Sequence, residues 1–467
     1  MKAANLRSVQ SICQRYQAII LDYTASRLHV AVSETPTQPM VEALRFASQC
    51  HVDIECWPQA RIEQYSQSPS PVAVARESQP EDAAGASAVE RVQQTLLLAL
   101  QRRASDIHFE PHASGLRIRL RIDGVLHPVA GSDDTAPASV IARLKILGNL
   151  DIAERRMPQD GQFTLELNGK SASFRLSTLP TRFGEKAVVR LLQSESVALG
   201  LDKLGMPPQA LQCYREALAR PQGLILVTGP TGSGKTFTLY SGLSALNLPE
   251  HNLCSVEDPI EIPLSGVNQT QINSKGGLDF HCVLRALLRQ DPDVIMLGEI
   301  RDGESAEIAL KAAQTGHLVL STLHTNSTSE TLTRLSQMGI PGYLLASALK
   351  LVIAQRLVRR LCPHCRQPDS TATPMPVDSW PGTLNSWRAV GCDHCFSGYY
   401  GRLALFEILP INGALQQAIA ANATSDELAT LARQQGMNTL FIEGLNAVQR
   451  GETSLEEINR IVGCSDG

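Results

Sequence analysis

The reading of this chain turns on LILVTGPTGSGKT, Leu224–Thr236. A short apolar run suited to a buried strand delivers the backbone into Gly229, Pro230, Thr231, Gly232, Ser233, Gly234, Lys235 and Thr236, and a helical pattern opens at Gly234. Glycines so spaced let the main chain wrap closely around a phosphate with its N–H groups turned inward. The N-terminus of the following helix adds a favourable dipole. In loops of this kind the lysine reaches the β- and γ-phosphates and the next hydroxyl serves Mg2+. Those roles fall to Lys235 and Thr236. A chance glycine-rich loop is the competing explanation, and the strand–loop–helix setting argues against it.

Outward from the loop, short apolar strands alternate with helical stretches. CSV (254–256), VIMLG (294–298) and HLVLSTL (317–323) follow LILV, the pattern of a parallel α/β sheet. Hydrolysis needs a carboxylate to orient water and help hold Mg2+. Two acidic clusters sit where strands end: Glu299, and Glu257 with Asp258 and Glu261. That is the edge on which open α/β sheets bind ligands. Gly298 stands where many such proteins carry Asp, and either cluster alone would read equally as solvated loop. His317 opens the last strand and His324 closes it. The odd separation sends their side chains to opposite faces, so His324 is the candidate for the nucleotide and His317 for a structural role.

At 467 residues the chain should hold two to four domains. Hydrophobic residues at 43% and charged ones at 19% exclude a disordered or coiled-coil protein. With 42 basic against 46 acidic residues there is no bulk attraction to nucleic acid, and no direct nucleic-acid partner is expected. No apolar run approaches the roughly 18 to 20 residues that cross a bilayer. The opening MKAANLRSVQ lacks signal-peptide features, so a cytoplasmic protein is expected.

Residues 1–65 read as a small mixed domain, with strands in AIILDY and RLHVAV and a helix around PMVEALRFAS. Residues 66–86, rich in Ser, Pro, Ala and Gln, read as a linker. The block 87–203 reads as α+β. Ser87 and Glu90 have capping-box spacing, and Val89, Val92, Leu96, Leu97 and Leu100 share a helix face. Leu116, Ile118, Leu120 and Ile122 alternate with arginines before the Asp123-Gly124 turn. A second hairpin is expected across Asn168-Gly169. The nucleotide-binding domain spans 204–360, a cysteine-bearing element 361–400, and a helical C-terminal region 401–467. In that element Cys362 and Cys365, with Cys392 and Cys395, form two Cys-x-x-Cys turns whose thiolates suit a closed tetrahedral Zn2+ site. A redox dithiol is the alternative. His364 and His394 are read as bystanders.

GPTGSGKT, SVEDPIE, LRQDPDVIMLGEIRD and AAQTGHLVLSTLHTN resemble, in order and spacing, the Walker A, Asp box, Walker B and His box of the secretion-superfamily ATPases. The likeness is strongest to the PilB/GspE group, the type IV pilus assembly and type II secretion ATPases, including its HofB-like members. In that group Gly298 before Glu299 is the ordinary form. ASDIHFEP, RLRIDGVL and RLSTLPTRFGEKAVVRLL are similar to the group's PAS-like domain. The resemblance implies a RecA-like P-loop core preceded by that PAS-like α+β domain, with a four-cysteine zinc element and a helical C-terminus. It implies ATP, Mg2+ and Zn2+ as cofactors, and a homo-hexamer working on an inner-membrane platform protein, peripheral to the membrane through its partners. Glu257 and Glu299 would share water activation and Mg2+ positioning, His324 would contact phosphate, and Arg175 and Arg190 would face nucleotide. A regulatory nucleotide-binding subunit with little turnover, a pilus-retraction ATPase and a DNA helicase are the alternatives.

Overall fold

A computed structural model describes residues 13–463 apart from 14–15, 17, 24–26, 34–35, 49–50, 59–79, 131–135, 168, 193–199, 274–277, 371–372 and 375–379. Most of the expected linker, residues 66–79, therefore lies outside the described residues. The chain divides into two compact units, Met1–Val89 and Glu90–Gly467.

In the first unit, β1 (Ile19–Tyr23) pairs antiparallel with β2 (Arg27–Val32), and β2 pairs parallel with β3 (His51–Cys56). The parallel crossover runs through α1 (Gln38–Ser48). Leu28, Val30, Val32, Met40, Leu44 and Val52 form its core. The third strand was not expected from the sequence. The helix α2 (Pro80–Gln101) begins inside the segment read as linker, ahead of the Ser87 capping position. A proline suits a first helical turn, in keeping with a start at Pro80.

The second unit begins within α2, and after it comes a six-stranded antiparallel sheet, order β6-β5-β4-β9-β8-β7. Its strands are β4 (Asp106–His112), β5 (Gly115–Ile122), β6 (Val125–Pro128), β7 (Gln159–Leu167), β8 (Lys170–Thr181) and β9 (Gly184–Leu192). Leu116, Ile118, Leu120 and Ile122 are buried, as are Val140, Ile141 and Leu144 on α3 (Pro137–Leu147). The arginines between them face the other way. Asp123 and Gly124 take φ of 49° and 87°, the left-handed pair that a two-residue hairpin demands. The β7–β8 pairing runs to Leu167 opposite Lys170, and Asn168 of the expected turn lies outside the described residues.

Next, α4 (Pro208–Leu218) leads into a seven-stranded sheet of order β12-β11-β13-β14-β10-β15-β20. Its members are β10 (Gly223–Thr228), β11 (Leu253–Glu257), β12 (Asn268–Gln271), β13 (Val294–Leu297), β14 (Leu318–Leu323), β15 (Leu349–Leu361) and β20 (Tyr399–Pro410). All neighbouring pairs are parallel except the last. Helices α5 (Lys235–Leu246), α6 (Phe280–Leu287), α7 (Gly303–Gln314), α8 (Thr328–Gln337) and α9 (Gly342–Ala348) accompany it. Apolar cores line both faces, so the central strands read as continuous hydrophobic runs.

The cysteine element carries two small two-stranded sheets, β16 (Gln367–Pro368) with β19 (Trp387–Arg388) and β17 (Thr373–Pro374) with β18 (Thr383–Leu384). The C-terminal region, 401–467, is not wholly helical as the sequence suggests. It opens with β20, which lies antiparallel on β15 and completes the main sheet. The reason is that β15 would otherwise present a long unpaired edge. Only then come α10 (Gly413–Ala420), α11 (Ser425–Gln434), α12 (Leu440–Gln449) and α13 (Leu455–Ile461). The buried Glu407 of β20 accepts from Thr328 N (2.8 Å) and Thr328 Oγ1 (2.6 Å), and from Leu440 N (3.2 Å), tying the first turns of α8 and α12 together. At the start of the strand, Gly401 N donates to Asp123 Oδ2 at 2.9 Å and the Arg103 guanidinium stacks on Tyr400 at 3.9 Å. The Asp123-Gly124 turn of the six-stranded sheet is thus fastened to β20.

Among the described residues, no helix is long and apolar enough to cross a membrane.

Candidate nucleotide site and cysteine cluster

The carboxyl ends of β10, β11, β13 and β14 converge on one cavity of about 1110 Å3. The loop after β10 is its floor. Gly229, Gly232 and Gly234 take φ of 150°, 80° and 88°, the region in which glycine is favoured. A Cβ at Gly229 would lie 2.5 Å from the backbone Gln355 O, so close approach as well as conformation requires glycine there, while at Gly234 it is the left-handed φ that does. Helix α5 is capped by Gly234 and, among the described residues, no side chain caps its opening N–H groups, which leaves them to an anion. Lys235 is 8% exposed. Its Nζ donates to Gly229 O (2.8 Å) and Pro230 O (3.1 Å), folded back over its own loop. Burial pushes this ammonium down to about 8; Glu299 favours the charge and Arg356 opposes it. A buried cation held only by carbonyls among the described residues fits a phosphate, as does the Ser233 hydroxyl, which is buried with no hydrogen-bond partner among them. Thr236 lines the same wall.

The two glutamates differ in kind. Glu257 is 3% exposed and fully engaged: Tyr240 Oη donates to one carboxylate oxygen, while Ser255 Oγ (2.6 Å) and Gln269 Nε2 (3.0 Å) donate to the other. Burial and this carboxylate raise the Tyr240 phenol. Glu299 is freer, with 28% of its side chain exposed. Its Oε2 lies 3.1 Å from His324 Nε2 and its Oε1 accepts from Arg301 Nε. Burial raises the Glu299 carboxyl, but the hydrogen-bonded Arg301 guanidinium and His324 outweigh it and hold the group below its ordinary value. His317, by contrast, places Nδ1 3.0 Å from Ala312 O at the end of α7.

From the six-stranded sheet, Arg190 reaches the cavity with Nε 3.0 Å from Asp106 Oδ1. Arg175 does not. It stands opposite Arg190 in the β8–β9 register, one strand farther out, and is not among the lining residues. Arg117 and Arg119 are engaged elsewhere, both on Glu110. Arg356 and Arg402 also line the cavity and were missed, lying outside the recognisable motifs.

The four thiols of Cys362, Cys365, Cys392 and Cys395 lie within 4.8 Å of one another. Cys362–Cys392 is 3.8 Å, and Cys365–Cys395 and Cys392–Cys395 are each 3.7 Å. A tetrahedron with Zn–S bonds of about 2.3 Å has edges of about 3.8 Å. The cluster fits that ion. Backbone N–H groups of Gly391 and Cys392 donate to sulfur at 3.3 Å each, as befits thiolates. The ring centroids of His364 and His394 lie 4.9 Å apart with the planes tilted by 42°, and neither ring belongs to the cluster.

Known proteins extend this picture. A family model described as type II/IV secretion system protein matches residues 81–460. Over 466 residues the chain is 55% identical to the protein transport protein HofB homolog of Escherichia coli, covering 99% of this chain and 100% of that one. It is 49% identical to the type IV pilus assembly ATPase PilB of Pseudomonas aeruginosa, across 81% of this chain and 68% of that one. The type II secretion system protein E of Klebsiella pneumoniae is 46% identical, across 78% of this chain and 73% of its own. The structure of the pilus retraction motor PilT with bound ADP superposes with a TM-score of 0.53 at 27% identity, covering 80% of this chain and 97% of that one. Similarity of this extent leaves one assignment: the chain belongs to the type II/IV secretion system protein family, as a PilB/GspE-type secretion ATPase.

Proposed function

We propose that this protein is a Mg2+-dependent ATP hydrolase that works as a homo-hexamer, peripheral to the inner membrane on its cytoplasmic side, and powers pilus assembly or type II secretion through a platform protein. The observation that carries the hydrolase reading is the Lys235 cation standing in one cavity with the Glu299–His324 pair. The core is RecA-like and the six-stranded domain PAS-like on this reading, and the four cysteines hold a structural Zn2+. Relatives named for pilus assembly and type II secretion, at 46 to 49% identity, and one named for protein transport at 55%, against 27% for the retraction motor, favour an assembly or secretion role.

MgATP supplies a terminal phosphoryl group open to attack by water. The chain's residues do the rest. The loop Gly229–Thr236 wraps the phosphates, Lys235 releases its own carbonyls to neutralise them, and Thr236 is the residue whose hydroxyl would hold Mg2+, which would supply further positive charge against the phosphates. Glu299, less buried and acceptor-rich, orients water and takes its proton, with His324 steering the carboxylate. Glu257 already holds three donors, so it braces β11 against Tyr240 of α5 and Gln269 of β12 rather than acting as the base. Arg190, freed from Asp106, offsets charge on the transferring group.

The test is phosphate release. Glu299→Gln should lower turnover at least about a hundredfold while binding nucleotide within a few-fold of wild type. Equal, negligible rates in wild type and Lys235→Ala would favour the regulatory-subunit reading instead.

A further inference from the structure

Arg356 is the second buried cation of the cavity, 7% exposed, on the strand beside β10. Its Nη1 donates to Gln355 O at 3.1 Å, and its Nη2 donates to Asn326 O at 3.0 Å and Asn326 Oδ1 at 3.2 Å. It ion-pairs with no carboxylate among the described residues. A Cβ built on Gly229 would lie 3.2 Å from Nη1, so the guanidinium packs under the first turn of the phosphate loop.

Asn326 lies two residues after His324. Between them, Thr325 N donates to Thr228 Oγ1 at 2.9 Å, and the two threonine hydroxyls lie 2.6 Å apart. Thr228 is the residue before Gly229. The segment His324–Asn326 is therefore pinned twice to the base of the phosphate loop, once by Thr228 and once by Arg356. Beyond it, His324 meets the Glu299 carboxylate at 3.1 Å. Through the backbone of His324–Asn326, these contacts link the loop after β10 to the Glu299 carboxylate. The fork geometry matters here, since a lysine cannot span a carbonyl, an amide oxygen and a third carbonyl with one planar group.

We propose that Arg356 is a positioning residue that, by clamping Asn326 beneath the phosphate loop, fixes His324 and through it the Glu299 carboxylate. This rests on the reading that the site hydrolyses MgATP. Arg356 touches the path to the reacting atoms, not the atoms themselves, so its loss should reach kcat through His324 and leave nucleotide binding largely intact.

A double-mutant cycle on the full-length protein tests it. Arg356→Lys should lower kcat about tenfold or more and shift KM for MgATP less than about threefold. In a His324→Ala background the same substitution should change kcat by less than about twofold, because the residue it positions is gone. Thermal unfolding and ADP titration confirm that each variant is folded. Asn326→Ala, a milder cut at the other end of the clamp, should show a smaller loss that likewise vanishes in the His324→Ala background, and it serves if Arg356→Lys does not fold. An equal loss in both backgrounds overturns the proposal, as does a raised KM with unchanged kcat, which would make Arg356 a nucleotide ligand. Absence of turnover in wild type sinks the hydrolase reading itself, whereas active wild type with an additive cycle sinks only this inference.

Discussion

Lys235 offers a prediction that pH alone can deliver. Its ammonium is pushed from an ordinary 10.5 down to about 8 by burial. A bound phosphate supplies the missing counter-charge, so the nucleotide complex keeps the proton over the whole working range. The perturbation is a rise from pH 7 to pH 9, above the last ionisation of free nucleotide. With the free-site value near 8, the lysine is protonated in about nine molecules of ten at pH 7 and one of ten at pH 9. Nucleotide affinity should therefore fall about tenfold across that interval. At pH 9 each binding event should take up about 0.9 proton, read by calorimetry in two buffers of different ionisation enthalpy. The sign for folding is opposite. A lysine depressed in the native state binds fewer protons there than in the unfolded chain, so between about 8 and 10.5 this group makes the empty protein more stable as pH rises. Affinity and stability moving apart is a signature that general alkaline damage does not produce. A flat affinity between pH 7 and 9, or the same slope in Lys235→Ala, refutes the reasoning.

Three further outcomes are expected. Tyr240→Phe strips one donor from the buried Glu257 and should cost about 1–3 kcal/mol in denaturant-induced unfolding; an unchanged midpoint would show that the network carries no stability. Arg190→Ala should cut turnover about a hundredfold or more while ADP affinity stays within about threefold, and wild-type turnover would remove this arginine from the site. Protein purified without chelator should contain zinc; stripping it should expose the cysteine element to protease and spare ADP binding, and a metal-free preparation with an intact element would refute the assignment.

Local patterns made much of this legible in the chain. The phosphate loop announces itself because glycine spacing, the preceding apolar strand and the following helix are contiguous. Glu257, Glu299 and His324 could be placed because each follows a recognisable strand, and strand ends in a parallel sheet share one edge. The paired Cys-x-x-Cys turns were equally local. What resisted reading depends on distant partners. That Glu257 is saturated follows from Tyr240 and Gln269, one on α5 and the other on β12. Arg356 lay hidden in LKLVIAQRLVRRL, a basic residue among several in an apolar strand, and only the neighbouring Asn326 loop singles it out. Arg175 and Arg190 look alike in sequence; a one-strand step across the sheet separates the one at the cavity from the one outside it. The strand Tyr399–Pro410 owes its place to the open edge of β15, a demand written some forty residues earlier.

On the proposed motor reading, the fastening of Asp123 to Gly401 would make the six-stranded sheet a lever with a fixed end. The tethered hairpin is at one margin, β6 and β5, and β7 is at the other. Five inter-strand gaps of about 4.8 Å give an arm of about 24 Å. Swinging it by about 10° about that fulcrum would shift the far strand by about 4 Å yet barely disturb the turn. Arg190 sits partway along, so its travel from the phosphates would be a fraction of the displacement delivered at the rim.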